Sequence, residues 1–296
     1  MYRSTNPEKF TPFTLRVKNE IKSFHRPLVM GILNITPDSF WPSSRSESVN
    51  DAVAKARQMQ AEGASILDIG GQSTRPGSSR IAAAEEIQRV IPVVEAIHSE
   101  LPEMLLSIDT YYSEVAETAL LAGADMINDI SAGVLDPKIW DVAINRSVPY
   151  VLMHMQGTPE TMQNQPHYSD VTAELMRFFL NTTRQLVERG MRDIIIDPGI
   201  GFGKTAEHNL TLLRELESFT QVGFPILTGV SRKRFIQHLT HSDADGSLHG
   251  STAMHALLLE RGAGILRVHD VKAAMDTIRV FCALHNLNNK ESLLEQ

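Results

Sequence analysis

Cysteine is all but missing. Across 296 residues only Cys282 occurs, which excludes an internal disulfide framework and any cysteine-based zinc cluster. Its setting, "RVFCALHN", reads as helix, so Cys282 is expected as a small packed hydrophobe rather than a nucleophile. A basic excess is missing too. Lys and Arg number 28 against 35 Asp and Glu, a formal charge of −7, which argues against a general nucleic-acid binder. No apolar run reaches membrane-spanning length. The opening "MYRSTNPEKFTPFTLRVKNEIKSFHRP" is polar and lacks the apolar core of a secretory signal, and Glu8 and Glu20 are atypical of an organellar transit segment. A cytoplasmic protein with no nucleic-acid and no membrane partner is the expectation. Low-complexity tracts and close repeats are absent, as are a G-x-S-x-G elbow and an H-E-x-x-H helix.

What is present is alternation. Short runs rich in Ile, Leu and Val occur at 27–35, 65–70, 104–109, 126–131, 149–155, 193–199, 225–231 and 265–270, as parallel strands buried on both faces require. Helical patterns lie between them, at 49–63, 83–99, 113–123 and 171–190, several ending in Gly. Eight such units without a linker-like break predict an α/β fold, a single (β/α)8 TIM barrel, rather than an open doubly wound sheet. Residues 1–26 form an N-terminal extension, read as a cap or hairpin over the barrel's bottom or a frayed arm. Residues 27–286 form the barrel and 287–296 a C-terminal tail.

Barrel enzymes work at the C-terminal ends of their strands. There the apolar runs stop at Asn34, Asp68, Asp109, Asn128 and Asp129, the "MHMQG" segment, Asp197, the run Ser231-Arg232-Lys233-Arg234, and Arg267 with His269. Any one of these carboxylates could cap the following helix. Seven strands contributing polar groups at one rim are not explained that way. Asp109, Asn128 and Asp197 suit a flat heterocycle with several N–H donors. Lys233, Arg267 and His269 suit a phosphate or a departing oxyanion. In "RVHD", Arg267 and His269 are two apart, which on a strand puts both on one face. The cations after strand seven form either a solvated loop or the neighbours of something anionic or electron-rich, because none can enter a core unpaired; of the three, Arg232 is read as an exposed or structurally paired residue.

"GIGFGKT" (199–205) resembles a phosphate-binding loop but fails the pattern, since Pro198 stands where a Gly is required. It reads as a flexible rim loop that lets backbone or Phe202 approach a ligand. In "MHM", Met153 is expected as an apolar wall under a planar ring.

The segments "MGILNITPDSF" (30–40), "LDIGGQSTRPG" (67–77), "SIDT" (107–110), "INDIS" (127–131), "LMHMQGTP" (152–159), "IDPGIGFGK" (196–204), "GVSRKRFI" (229–236) and "LRVHDV" (266–271) together closely resemble the dihydropteroate synthase family. The resemblance implies condensation of (7,8-dihydropterin-6-yl)methyl diphosphate with 4-aminobenzoate, with sulfonamides as competitors, Mg2+ as cofactor and a homodimer as assembly. It implies that the pterin is held by Asp109, Asn128, Met153, Asp197, Phe202, Gly229, Lys233 and Arg267. It places 4-aminobenzoate and diphosphate by Phe40, Thr74, Arg75, Pro76, Ser231, Arg234 and His269, and the metal by Asn34. Catalysis is implied for Arg267, His269, Lys233 and Asp109, with the loops after strands one and two excluding water.

The family commonly continues "NITPDSF" with Ser-Asp-Gly-Gly, whereas this chain has Trp41-Pro42-Ser43-Ser44, so loop closure is in question. Gln72 stands where many members have Glu. Two rivals follow: a pterin-binding relative of low turnover, and a pterin-dependent methyltransferase, against which "STRPG" and "SRK" argue. Diphosphate release from the two substrates separates all three.

Overall fold

The computed structural model describes residues 9–35, 45–72 and 80–287. The first element is a hairpin. Strands β1 (Phe13–Val17) and β2 (Glu20–Phe24) pair antiparallel through Lys18 and Asn19, both at positive φ (52° and 62°), the backbone a tight two-residue hairpin needs. The expected cap is therefore real. Leu15 and Val17 are buried in the barrel's interior cluster beside Leu28, Leu105 and Met126, which lie at the N-terminal ends of their strands. The Arg16 N–H donates to Asp193 Oδ1 (2.9 Å) and Lys18 Nζ to Met104 O (3.2 Å), fastening the plug to the bottom loops.

Eight parallel strands follow: β3 (Leu28–Asn34), β4 (Ile66–Gly70), β5 (Leu105–Asp109), β6 (Met126–Asp129), β7 (Tyr150–Met153), β8 (Ile194–Asp197), β9 (Ile226–Thr228) and β10 (Ala263–Val268). They close into a barrel in sequence order, β10 pairing with both β9 and β3. The helices are α1 (Arg45–Glu62), α2 (Ala83–Glu100), α3 (Ser113–Leu121), α4 (Lys138–Arg146), α5 (Val171–Glu188), α6 (Ala206–Arg214), α7 (Arg234–Thr240), α8 (Leu248–Leu259) and α9 (Val271–Leu284). A 3-10 helix, Leu216–Val222, follows α6. The simple one-strand-one-helix count breaks in the seventh unit, where α7 and α8 both precede β10. Cys282 is buried on α9, as expected of a packed hydrophobe. Among the described residues no helix is long and apolar enough to cross a membrane.

Period-two alternation divides the core. Ile66, Leu105, Met126, Val151, Ile195, Leu227 and Ile265 fill the barrel interior. Their neighbours Leu67, Leu106, Ile127, Leu152, Ile196 and Leu266 join the cluster under the helices. Strands buried on both faces read as continuous apolar runs for this reason.

Helix α2 carries one exception on its apolar face. Glu86 is buried with Val90, Val93, Val94 and Ile97, and its Oε1 has no hydrogen-bond partner. Burial pushes its pKa up to about 8, and the Asp109 charge adds to this. The folded state then holds a proton that the unfolded chain releases above about 4.5, so stability falls as pH rises through that interval. Glu86→Gln keeps the neutral form. Relative to wild type it should gain on the order of 1 kcal/mol or more between pH 4.5 and pH 8, read by denaturant titration. Parallel pH–stability curves would show that Glu86 ionises normally in the fold.

Candidate functional site

The same alternation builds the site. One step above the apolar interior layer, Ile66 is followed by Asp68, Met126 by Asn128, Val151 by Met153, Ile195 by Asp197, Leu227 by Gly229, and Ile265 by Arg267. Each pair is two apart, so both members face the barrel axis. Across four strands Asn34, Gly70, Asp109 and Asn128 are in register. Gly70 opens the gap in that row: a Cβ there would sit 3.6 Å from both Asn34 Oδ1 and Asp109 Oδ2.

Arg267 is the centre of the charge network. Its Nε donates to Asp68 Oδ2 (2.6 Å) and its Nη2 to Asp109 Oδ2 (2.6 Å). Asp68 Oδ2 also accepts from Asn128 Nδ2 (2.9 Å), and Asp68 is fully buried. Burial opposes the guanidinium charge, but Asp68 and Asp109 outweigh it and hold the Arg267 pKa above its ordinary value. Burial pushes Asp109 up to about 7, against the pull of Arg267. Sequence reading placed Asp68 at the rim and gave it no role. The structure makes it the bridge between Asn128 and Arg267.

A second network joins Asp197, Lys204 and Lys233. The "GIGFGK" segment is not the flexible loop expected from its glycines. Lys204, which carried no role in the sequence reading, is buried, and its Nζ donates to the carbonyls of Phe202 (2.9 Å), Gly199 (3.0 Å) and His154 (3.1 Å). The Nζ also lies 3.2 Å from His154 Nδ1. Burial pulls Lys204 down to about 7, yet three converging carbonyls, which can only accept, favour the ammonium with its three donors. The glycines serve close approach: at Gly199, φ is +65° and a Cβ would lie 2.0 Å from His154 O. His154 is a structural neighbour, its ring edge-on to Phe178 at 4.9 Å. Asp197 Oδ1 accepts from the Gly199 N–H (2.7 Å), and burial pushes the Asp197 pKa up against the pull of Lys233. Lys233 Nζ donates to Ile200 O and lies 4.5 Å from the Phe202 ring centroid. Burial pulls its pKa down to about 8, against Asp197.

The three cations after β9 therefore separate. Lys233 turns into the site. Arg232, in the left-handed region at φ 57°, is paired with Asp270 (2.9 and 2.6 Å) and Asp245 (2.7 Å). Arg234 is exposed at the start of α7. The strand rule overreached at His269, which lies just past β10. Ser231 Oγ holds it instead, 3.2 Å from both its backbone N and its Nδ1. Partial desolvation by its surroundings, with the Arg267 and Arg232 charges nearby, pulls the pKa of His269 below the ordinary imidazole value, although the residue is exposed at the rim. Met153 packs with Tyr111 and Ile130, and Phe202 lies against the same cluster. Asp129, also at the rim, is a structural cap that accepts from the Ser131 and Gly133 N–H groups and from Tyr150. Phe40, Trp41, Pro42, Thr74, Arg75 and Pro76 lie outside the described residues.

The rim thus combines hydrogen-bond acceptors, two cations and an apolar wall: a place for a flat polar heterocycle beside a place for an anion. The sequence matches the family described as pterin binding enzyme over residues 30–269. A dihydropteroate synthase of Synechocystis sp. is 45% identical over 88% of this chain and 90% of its own. The Xanthomonas albilineans dihydropteroate synthase with 4-aminobenzoic acid superposes with TM-score 0.84 at 42% identity, covering 93% of this chain and 98% of that one. The Yersinia pestis enzyme in complex with a sulfonamide drug gives TM-score 0.86 at 36% identity, covering 93% and 100%.

Lys204→Met should keep the stem and lose the three carbonyl contacts. Leaving these acceptors unmatched beside Asp197 should lower stability by roughly 2–4 kcal/mol, measured by chemical denaturation. An unchanged midpoint would mean that the loop is organised without the ammonium.

Proposed function

The chain belongs to the dihydropteroate synthase family of pterin-binding enzymes, and from that premise we propose how its own residues bring about the condensation of (7,8-dihydropterin-6-yl)methyl diphosphate with 4-aminobenzoate to 7,8-dihydropteroate and diphosphate. The observation that carries this reading is the inward layer Asp68, Asn128, Met153, Asp197 and Arg267, each two residues along its strand from the apolar barrel interior.

The reaction breaks the methylene C–O bond and forms a C–N bond to the aryl amine, whose nitrogen then releases a proton. An uncharged aryl amine is already nucleophilic, so no strong general base is required. Expelling diphosphate is the demanding step. Asp197 keeps Oδ2 and a second lone pair on Oδ1 for two parallel N–H donors of the pterin. Asn128, oriented by Asp68, and Asp109 add further polar contacts, and Lys233 brings a cation against the ring system. Met153 and Phe202 supply apolar faces. Arg267 reaches the ligand through its plane and its Nη1, since Nε and Nη2 are committed to carboxylates. With His269, it faces the charge that develops on the leaving diphosphate. An anion beside the imidazole raises its proton affinity.

Magnesium belongs to this proposal through Asn34. Among the described residues no cluster of three His, Cys, Asp or Glu is placed to hold a metal. What the rim offers is a hard amide oxygen, with Asp109 across the Gly70 gap. That suits an ion that takes one or two protein ligands and completes its shell with phosphate oxygens. When bound, it neutralises charge on the diphosphate. Competition by sulfonamides with 4-aminobenzoate, a homodimer and a cytoplasmic location rest on the same family membership.

The deciding measurement is diphosphate release. It should require both substrates and fall to background in excess chelator, and undiminished turnover with chelator would remove magnesium from the scheme. Asp197→Asn offers a second test. The amide oxygen can keep the Gly199 N–H, so the loop cap survives, but the amide NH2 then faces a pterin donor. Hydrogen bonds to charged groups contribute roughly 1.5–3 kcal/mol each, so pterin affinity should fall on the order of 10²-fold or more by calorimetry. A folded variant that binds within about threefold of wild type (roughly 0.65 kcal/mol) would take Asp197 out of the pterin site.

A further inference from the structure

The backbone ladder between β9 and β10 ends at the pair Thr228 and Leu266, 38 residues apart in the chain, as are the partners described next. Side chains carry that register onward. Gly229 lies opposite Arg267, where a Cβ would make ordinary contact with the Arg267 stem at 3.9 Å. Ser231 Oγ stands 3.2 Å from the His269 backbone N and from its Nδ1. Arg232 Nε and Nη2 donate to Asp270 Oδ2 and Oδ1 (2.9 and 2.6 Å). Beyond the last backbone pair the two strands are thus held in step by two rungs of side chains, Ser231 with His269 and Arg232 with Asp270.

The second rung is braced from outside. Arg232, at φ 57°, donates its N–H to Ser251 Oγ on α8 (3.1 Å) and accepts from Gln237 Nε2 on α7 at its carbonyl (2.7 Å). Its Nη1 donates to Asp245 (2.7 Å). Ser231 and Ser251 are both buried. Asp270 stands at the N-cap of α9, yet its side chain makes no capping hydrogen bond. Its carboxylate is committed to Arg232, whose hydrogen bonds hold the Asp270 pKa below the usual carboxylate range. Asp270 therefore serves the ion pair rather than the helix. A bidentate pair fixes geometry as well as supplying energy. Here it holds the chain immediately after His269, and Ser231 sets both where the His269 backbone stands and how its ring turns. A group ordered in this way before binding meets a smaller ordering cost when a ligand arrives.

We propose that Arg232 and Asp270 are positioning residues for the diphosphate: their rung holds His269 on Ser231 and beside Arg267, and so sets affinity for the diphosphate end of the substrate while leaving affinity for the pterin ring intact. The inference rests on the reading above that His269 faces the diphosphate. Charge alone gives the opposite sign. Asp270 is an anion next in the chain to His269, and it neutralises Arg232, so its removal should strengthen anion binding by Coulomb's law. If Asp270 acts by holding His269, its removal weakens that binding.

The test uses the full chain with Mg2+ present and compares two probes by calorimetry: inorganic diphosphate, and a hydroxymethyl dihydropterin that lacks the diphosphate. Asp270→Ala should weaken diphosphate binding about tenfold, the scale of one lost hydrogen bond to a charged group. Affinity for the hydroxymethyl dihydropterin should stay within about twofold, because Arg232 keeps Asp245, Ser251 and Gln237 and the adjoining Lys233 stays in place. His269→Ala should weaken diphosphate binding by a similar factor. The double variant should lose no more than His269→Ala alone, since Asp270 acts through that ring. Unchanged or tighter diphosphate binding in Asp270→Ala, beside weakened binding in His269→Ala, overturns the positioning role alone. Equal loss for both probes also overturns it and marks a merely structural role, as does additivity in the double variant. Unaffected diphosphate binding in His269→Ala defeats the placement of His269 itself and the positioning role with it. If Asp270→Ala does not fold, Asp270→Asn, which keeps the shape but turns an NH2 toward the guanidinium, is read by the same signs.

Discussion

A largely buried guanidinium between two carboxylates, 19% exposed, holds the rim of this barrel together. Removing a charge from water is costly, and a buried ion persists only where opposite charge and hydrogen bonds surround it. Arg267 meets Asp68 on one side and Asp109 on the other. Asp68 in turn holds the Asn128 amide. Around these groups Asp68, Asp109 and Asp197 stand against Arg267, Lys233 and Lys204, so each ionisable group has an opposite partner close by.

The two networks divide the work. Arg267 and its carboxylates sit where β4, β5, β6 and β10 end. Lys204 and Lys233 organise the segment after β8, the first by filling a cage of carbonyls, the second by lying across Phe202 beside Asp197. That segment earned its glycines through close backbone approach rather than freedom of movement. Phe202 is thereby held against the apolar cluster that contains Met153.

Stability and chemistry are kept at opposite ends of the barrel. The hairpin drives Leu15 and Val17 into the bottom, where apolar burial meets no competing demand. At the top, burial raises the pKa of Asp109, Asp197 and Glu86, a cost to stability that packing alone would not select.

Much was legible in the chain alone. Continuous Ile, Leu and Val runs specify strands buried on both faces, and the polar residues that end them specify a rim, because side chains two apart face the same way. The quoted segments carried the family, and with it the residues Asp109, Asn128, Asp197, Lys233 and Arg267 that the fold brings to one rim. What the chain could not show was partnership. Lys204 looks like one more loop cation, Asp68 like one more helix cap, and Arg232 like a cation either exposed or paired with an unnamed partner. Only the closed barrel decides that Lys204 fills a cage, that Asp68 meets a guanidinium from a strand far away in sequence, and that Arg232 is taken by Asp270. Local sequence sets which way a side chain points. Which opposite charge it meets depends on strands distant in the chain, and that is settled only when the barrel closes.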